Sequence, residues 1–525
     1  MYPVDSSQTI IDPDIQPQYA QLVAGDTLLL LGEERGILLI RNLHGALNKP
    51  ITITNEKDLH LVANHHFGIS ISHSSHIRLT GSGDPQTIHG IEISHSTGNG
   101  IGATHGTSHI EIDHILIRNI NGIGIQVKTD ATCSAFHRDE YRLENIHIHH
   151  NKLSQIGGEG FYIGSSYWQG REIDCSGAPL LVFDPMCYNT SIHHNELEFI
   201  GWDGIQVSTA RNSLIFENTI FKDSRSLKPG HMSGIFIGGG SSGKFYNNTI
   251  EKGYGAGISV FAKDSLYIYN NLILDLGDDT NDENLGSFGI YLNDKLNQSI
   301  PAETWVFNNL VTHPQKEAIH INSTNWIPGS VHVHNNALID PGKFPIYASQ
   351  GIGHKAYVNF SGNNHLQSHQ YTSQHIEDAE FKNLEQGNYH LKATSPLIEA
   401  GKSISFDFAI LDKEGITRPQ GSTFDIGPFE AEVNSILKGL KPSPSLEILN
   451  PQDSANGLVL VSDSSFTASI QLFDLKGNQL LIETKPLNEG VNYIQLPAQI
   501  SSGVYIVQWN YMHSAYSEKV VLLNH

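Results

Sequence analysis

Glu159 and Asp203 open two short segments of one pattern, Glu159-Gly160-Phe161-Tyr162-Ile163 and Asp203-Gly204-Ile205-Gln206-Val207. If the segments are neighbouring strands, about 4.8 Å apart, the two carboxyl groups are neighbours as well. A close pair suits hydrolysis of a glycosidic bond, one group protonated as acid and the other ionised as nucleophile or base. A separation of about 5–5.5 Å would favour retention. The same pair is alternatively a set of Ca2+ ligands, since that ion gathers several oxygens. Elimination from a uronate would need a cation on the sugar carboxylate and a base for the neighbouring proton. Lys128, Tyr162 and His231 are candidate bases, and Arg138 or Arg171 a neutraliser. The structural alternative is that both acids cap turns by accepting backbone N–H bonds. The catalytic candidates are Glu159, Asp203, Lys128 and His231.

These residues lie where the chain is most elaborated. Two insertions follow short strands directly, Lys128–Arg142 and Gly164–Tyr188, and a third, Lys222–Met232, precedes one and carries Arg225, Lys228 and His231. An acidic stretch occupies Gly277–Phe288. Insertions on a repeated scaffold mark places where function was added. The middle residues of successive strands, Gln126, Tyr162, Gln206, Phe236, Ser259, Tyr291, His320 and Tyr347, form one outward line of aromatics and amides. Such a line suits sugar rings, and Tyr167 and Trp168 follow Tyr162 closely. Gln126, Tyr162, Tyr167, Trp168, Arg171, Gln206 and Arg138 are therefore the substrate-binding candidates. His147, His149, His150, His193, His194, His332 and His334 recur beside an Asn. Adjacent coils could join His149 and His193 on Zn2+, but alternation reads most of these imidazoles as an outward, solvated face.

An internal repeat positions all of them. A short apolar alternation ends in Asn at 119, 151, 195, 218, 248, 271, 309 and 336, with spacings of 32, 44, 23, 30, 23, 38 and 27. In phase with it, a Gly or Ala opens a three-residue strand, as in Gly124-Ile125-Gln126-Val127 and Gly257-Ile258-Ser259-Val260. Strands this short bury nothing alone, yet stacked coils give one continuous apolar interior. An Asn at each turn can bond to the Asn of the next coil. The expectation is an all-β chain: a right-handed parallel β-helix of about ten coils over 1–395, a closing segment 396–435, a linker 436–445 and a small C-terminal β-sandwich over 446–525.

The repeats resemble the right-handed β-helix family that includes pectate lyases and polygalacturonases, over roughly residues 20–395. Asp203-Gly204-Ile205 resembles the position of one catalytic Asp in polygalacturonases, although the other motifs of that family are absent. The resemblance implies a carbohydrate-active protein that cleaves a polysaccharide, as lyase or glycoside hydrolase, in a groove along the helix. A non-catalytic glycan-binding or adhesive surface protein is the alternative. Ser395–Gly401, Arg418-Pro419 and Asp425–Glu430 resemble the segment that closes many such helices. Leu472–Gly477, Leu496-Pro497, Ser502–Val507 and Lys519–Leu522 resemble the C-terminal sorting domain of the type IX secretion system of Bacteroidetes. That implies the secretion machinery as a partner and a secreted or outer-surface location. The start, Met1–Asp5, has no basic stretch ahead of an apolar one, so an exported chain would have lost its leader.

Composition narrows the alternatives. A net charge of −22 argues against nucleic acid, which needs a basic face. The longest apolar runs fall far short of the roughly 20 residues that span a bilayer. A polyanionic substrate would need bound Ca2+ or a local Lys/Arg group to offset the acidity. Of the three cysteines, Cys133, Cys175 and Cys187, the last two are close in sequence and are the expected disulfide.

Overall fold

The computed structural model describes the chain except residues 263, 278–286, 294–302, 323–330, 349–366, 369–370, 432–445, 450–456, 463–464, 475–477, 489, 497–499, 501–502, 512–513 and 523–525. The linker and most of the acidic stretch therefore lie outside the described residues, as do Leu475, Lys476, Gly477, Pro497 and Ser502 of the tail motifs. Two compact units emerge: residues 1–403 with 419–431, and residues 404–418 with 432–525.

The first unit is a parallel β-helix. Each coil contributes one strand in turn to three sheets, here A, C and B. One coil, for example, runs through Arg142–His149 in sheet A, Lys152–Ile156 in sheet C and Phe161–Gly164 in sheet B. Sheets B and C each stack twelve strands, all parallel, so the ladder exceeds the expected ten coils. The early coils are the ones the repeat did not reveal, because they carry no ladder Asn. Inward Ile, Leu and Val from all three sheets form one core, with Ile53, Ile93, Ile148, Ile205, Ile258 and Val333 among its fully buried members.

The turn from sheet A to sheet C explains the Asn. The residue before it adopts a left-handed backbone, φ 54° at His150, 53° at His194, 56° at Asn247 and 53° at Asn308. The Asn that follows is buried and donates its amide to the next one: Asn151 to Asn195 (3.1 Å), Asn195 to Asn218 (2.9 Å), Asn218 to Asn248 (2.9 Å) and Asn248 to Asn271 (3.0 Å). Asn271 to Asn309 and Asn309 to Asn336, both 2.9 Å, complete the ladder. Asn119 is not part of it. Arg118 and Ile120 pair with Ser154 and Ile156, which puts Asn119 at the far end of its sheet C strand, and Ile115 stands where the ladder residue would be.

Beside the Asn ladder runs a file of stacked rings. His149, His193, Phe216, Tyr246, Tyr269 and Phe307 lie face to face with centroids 4.7–5.0 Å apart. This corrects the reading of the histidines as a solvated face: His147, His149, His193 and His334 are buried. For His149 and His193 the ring on the next coil covers the ring below, so stacking removes from water side chains that alternation assigns to the outside.

Leu397, Ile426 and Phe429 close the last coils, packing with Leu310, Ala337 and Ile339. In the second unit, a three-stranded and a four-stranded antiparallel sheet between Leu446 and Leu522 share one core, with Leu460 and Ile494 from one and Ile470, Val507 and Trp509 from the other. That is a small β-sandwich.

Candidate functional site

The turn from sheet C to sheet B places the two acids. Gly160 N–H donates to the Asp203 carbonyl (3.0 Å), Gly124 to Glu159 (2.9 Å) and Gly204 to Ser233 (2.9 Å), so Ile123, Glu159, Asp203 and Ser233 occupy successive rungs. Glycine after each is required by this close approach. A Cβ on Gly160 or Gly204 would lie 2.5 Å from the carbonyl of the glycine one coil on.

On the next coil the insertion after Phe221 adds a third acid, Asp223, and then brings His231 onto the pair. The imidazole Nδ1 lies 3.1 Å from Glu159 Oε1 and 3.7 Å from Asp203 Oδ2. One ligand-type atom from each of the three lies within 4.8 Å of the others. Glu159, Asp203 and Asp223 are all buried. His231 packs at a tilt against Trp202, ring centres 4.8 Å apart, and Lys228 Nζ stands 5.4 Å from the centre of the same indole.

The charge balance of this pocket is unusual. Burial pushes the Asp203 carboxyl well above the usual range, the Glu159 and Asp223 charges push it further, and Ser233 offsets only part. Burial likewise raises Asp223 to about 7 despite the Ser224 hydroxyl, which donates to Oδ1 at 2.6 Å. Glu159 Oε2, both Asp203 carboxyl oxygens, Asp223 Oδ2 and His231 Nδ1 are buried without a hydrogen-bond partner. Asp223 escaped the sequence reading because the insertion that begins there breaks the repeat. The only signal was an acid two residues after a strand, beside the basic loop.

The outward line of sheet B is in register from end to end, Gln126, Tyr162, Gln206, Phe236, Ser259, Tyr291, His320 and Tyr347 pairing in succession. Gln206 and Ser259 are nevertheless buried. The Gln206 amide donates to Ser166 Oγ at 2.9 Å, and Tyr162 Oη pairs with the same hydroxyl at 2.9 Å.

Beyond the other end of these strands, the first two insertions are clamped together. The disulfide joins Cys133 to Cys175. The expected Cys175–Cys187 bond does not form, because Cys187 belongs to the sheet A strand Met186–His193 and points into the helix core. Asp184 accepts from Arg171 Nη2 (3.1 Å), Ser165 Oγ (2.7 Å) and the Ala131 N–H (2.8 Å). Arg138 lies 4.4 Å over Trp168 and donates to its carbonyl at 2.9 Å. Arg138, Arg171 and Trp168 are thus engaged in holding the insertions together, whereas Tyr167 is exposed. Lys128 pairs with Asp130 at 2.7 Å and leans over Tyr162, at the opposite end of the strands from Glu159, Asp203 and His231. Replacing Cys133 and Cys175 together by Ser should cost about 2 kcal/mol, since a cross-link limits the unfolded chain. Limited proteolysis should then cut within 128–142 or 171–182 sooner than in the parent, and unchanged cutting would mean the Asp184 contacts suffice.

A profile described as "Right handed beta helix region" matches residues 185–365. Among solved structures, the chain is similar to the pectate lyase Pel9A, at 13% identity and TM-score 0.37, over 79% of this chain and 90% of that one. It is also similar to an alginate lyase from Paenibacillus sp. str. FPU-7, at 13% identity and TM-score 0.37, over 70% and 99% of the two chains. No curated protein matches the sequence. The profile match supports a right-handed helix.

Proposed function

We propose that this chain is a secreted or outer-surface protein that binds a polysaccharide along sheet B and cleaves it beside His231. The observation carrying this reading is the convergence of Glu159, Asp203 and His231 at the start of strands whose outward residues form the Tyr162–Phe236 line. The two carboxyl groups lie too deep to touch a sugar, with 1% and 0% exposure. They are positioning residues. His231, with 31% of its side chain exposed, is the member that meets the substrate. The edge of the ring away from Nδ1 handles the sugar's hydrogen bond or proton, a role that contributes roughly 10²–10⁴ in rate where it operates.

An acidic, uronate-containing polysaccharide fits this loop best. Arg225, Lys228 and His231 share it, Arg225 stacked on Tyr254 and Lys228 beside Trp202, which gives an otherwise acidic protein a local positive face. The Cys133–Cys175 bond supports an oxidising location, and the resemblance of the tail supports export through the type IX machinery.

Screening polysaccharides for new reducing ends, and for the ultraviolet absorbance of an unsaturated product, tests the reading. His231→Ala should lower kcat/KM at least about 100-fold while leaving the circular dichroism unchanged. Full activity in that variant would remove the cluster from the reaction. Binding of glycan with no product from any of them would favour the adhesive alternative, which the depth of the two carboxyl groups also suits.

A further inference from the structure

We propose that Glu159, Asp203 and His231 bind a divalent first-row transition metal of the Zn2+ type, which fastens the 222–232 loop to the coils of the helix.

The first support is the set of atoms left without partners. Glu159 Oε2 and His231 Nδ1 are buried and make no hydrogen bond, and Asp203 Oδ1 and Oδ2, which only Ser233 approaches, are buried without a hydrogen bond of good geometry. Buried charge persists only when paired or coordinated. Among the described residues no Lys or Arg forms an ion pair with Glu159, Asp203 or Asp223; the imidazole is the basic group beside Glu159 and Asp203.

The geometry suits a small ion. Bonds of about 2.0–2.1 Å in a tetrahedron put ligand atoms about 3.3 Å apart. The imidazole nitrogen stands 3.1 Å and 3.7 Å from the two carboxylate oxygens, at hydrogen-bond distance from the first yet making no bond. Two carboxylates with one imidazole favour a borderline metal over Ca2+, which prefers oxygen alone. This departs from the alternative reading of Glu159 and Asp203 as Ca2+ ligands.

Asp223 is an independent observation. Fully buried, with Oδ2 unpartnered, it adds a further carboxyl group close enough to act on Asp203. Room for it depends on Gly253 of the next coil, where a Cβ would collide with the Asp223 carboxyl group. By contrast, the other carboxylate–imidazole cluster, Glu111, Asp113 and His149, already holds a cation. Arg78 Nε lies 3.2 Å from Glu111 and 2.9 Å from Asp113. With metal on Nδ1, the remaining proton of His231 sits on Nε2, so the imidazole becomes a fixed donor at the groove.

The metal claim does not require that any glycan be cleaved, and it is tested without substrate. Full-length protein stripped with chelator is titrated with Zn2+ and, separately, Ca2+ by calorimetry, and with Co2+ by visible absorption. The expected result is one tight Zn2+ equivalent, a tetrahedral Co2+ spectrum and a higher melting temperature. His231→Ala and Asp203→Asn should each weaken that equivalent at least about 100-fold. His231 is on a partly exposed loop, so its variant retains the fold. The 29 histidines will bind further Zn2+ weakly in every variant, and the difference isolates this site. Ca2+ bound tightly without Zn2+, no tight equivalent, or one unchanged in both variants would overturn the proposal. Cleavage without a metal site, or a metal site without cleavage, separates the two claims.

Discussion

Asn248→Ala is expected to destabilise the helix by about 4 kcal/mol, read as a lower urea midpoint. The Asn248 amide donates to the carbonyls of Ile215 (2.8 Å) and Tyr246 (3.0 Å) and to Asn271 Oδ1 (3.0 Å). Its own oxygen accepts from Asn218, at 3.1 Å from the backbone N–H and 2.9 Å from the side chain. Truncation strands these groups in a site with no exposure, at about 1–3 kcal/mol for each buried group left unmade. Some relaxation holds the total below a simple sum. Asn248→Asp is the sharper variant, because it keeps the shape and turns a donor toward three acceptors into a further acceptor. It should be at least as damaging at neutral pH. A loss under about 0.5 kcal/mol from either change would show that the ladder is ornamental and that the apolar core alone sets coil stacking.

Acid should weaken the fold through His147, by about 2 kcal/mol at pH 5 relative to pH 8. Burial lowers this imidazole to about 3, with His149 and His109 pushing the same way and Glu111 opposing, and neither ring nitrogen has a partner. In the unfolded chain the group titrates near 6.5. Between those values only the unfolded state takes the proton. Stability is therefore complete above about pH 6.5 and falls by about 1.4 kcal/mol per unit as pH drops toward 3. Asp223 has the opposite sign: raised to about 7, it takes its proton first in the folded state, so acidification relieves a cost there. The parent's profile mixes the two, and a difference between variants separates them. His147→Leu should gain about 2 kcal/mol more at pH 5 than at pH 8 in urea denaturation. Equal gains at both pH values would mean that His147 is protonated in the folded state.

The two effects mark the boundary of what sequence reading could reach. Asn248 is legible because every coil needs the same turn, and a need repeated along the chain leaves a periodic trace. His147 is not. Alternation assigns it to the outer side of its strand, yet between Glu111 and Ser191 on the adjacent rungs it is buried. The first coils, though inside the helix expected over 1–395, leave no such trace, because no Asn of the ladder lies in them.

The candidate site divides in the same way. The sequence by itself determined the coiled architecture, the matching rungs of Glu159 and Asp203 and the line from Gln126 to Tyr347, because register in a stacked ladder follows from period alone. Tertiary structure decided which cysteines pair, that Arg138 and Arg171 are spent on Asp184 and Trp168 rather than left open, that Lys128 stands at the other end of the strands, and that Asp223 and His231 join the two acids. Each of those outcomes depends on insertions of irregular length folding back over the coils. Such contacts have no period, and their partners are chosen by distance in space.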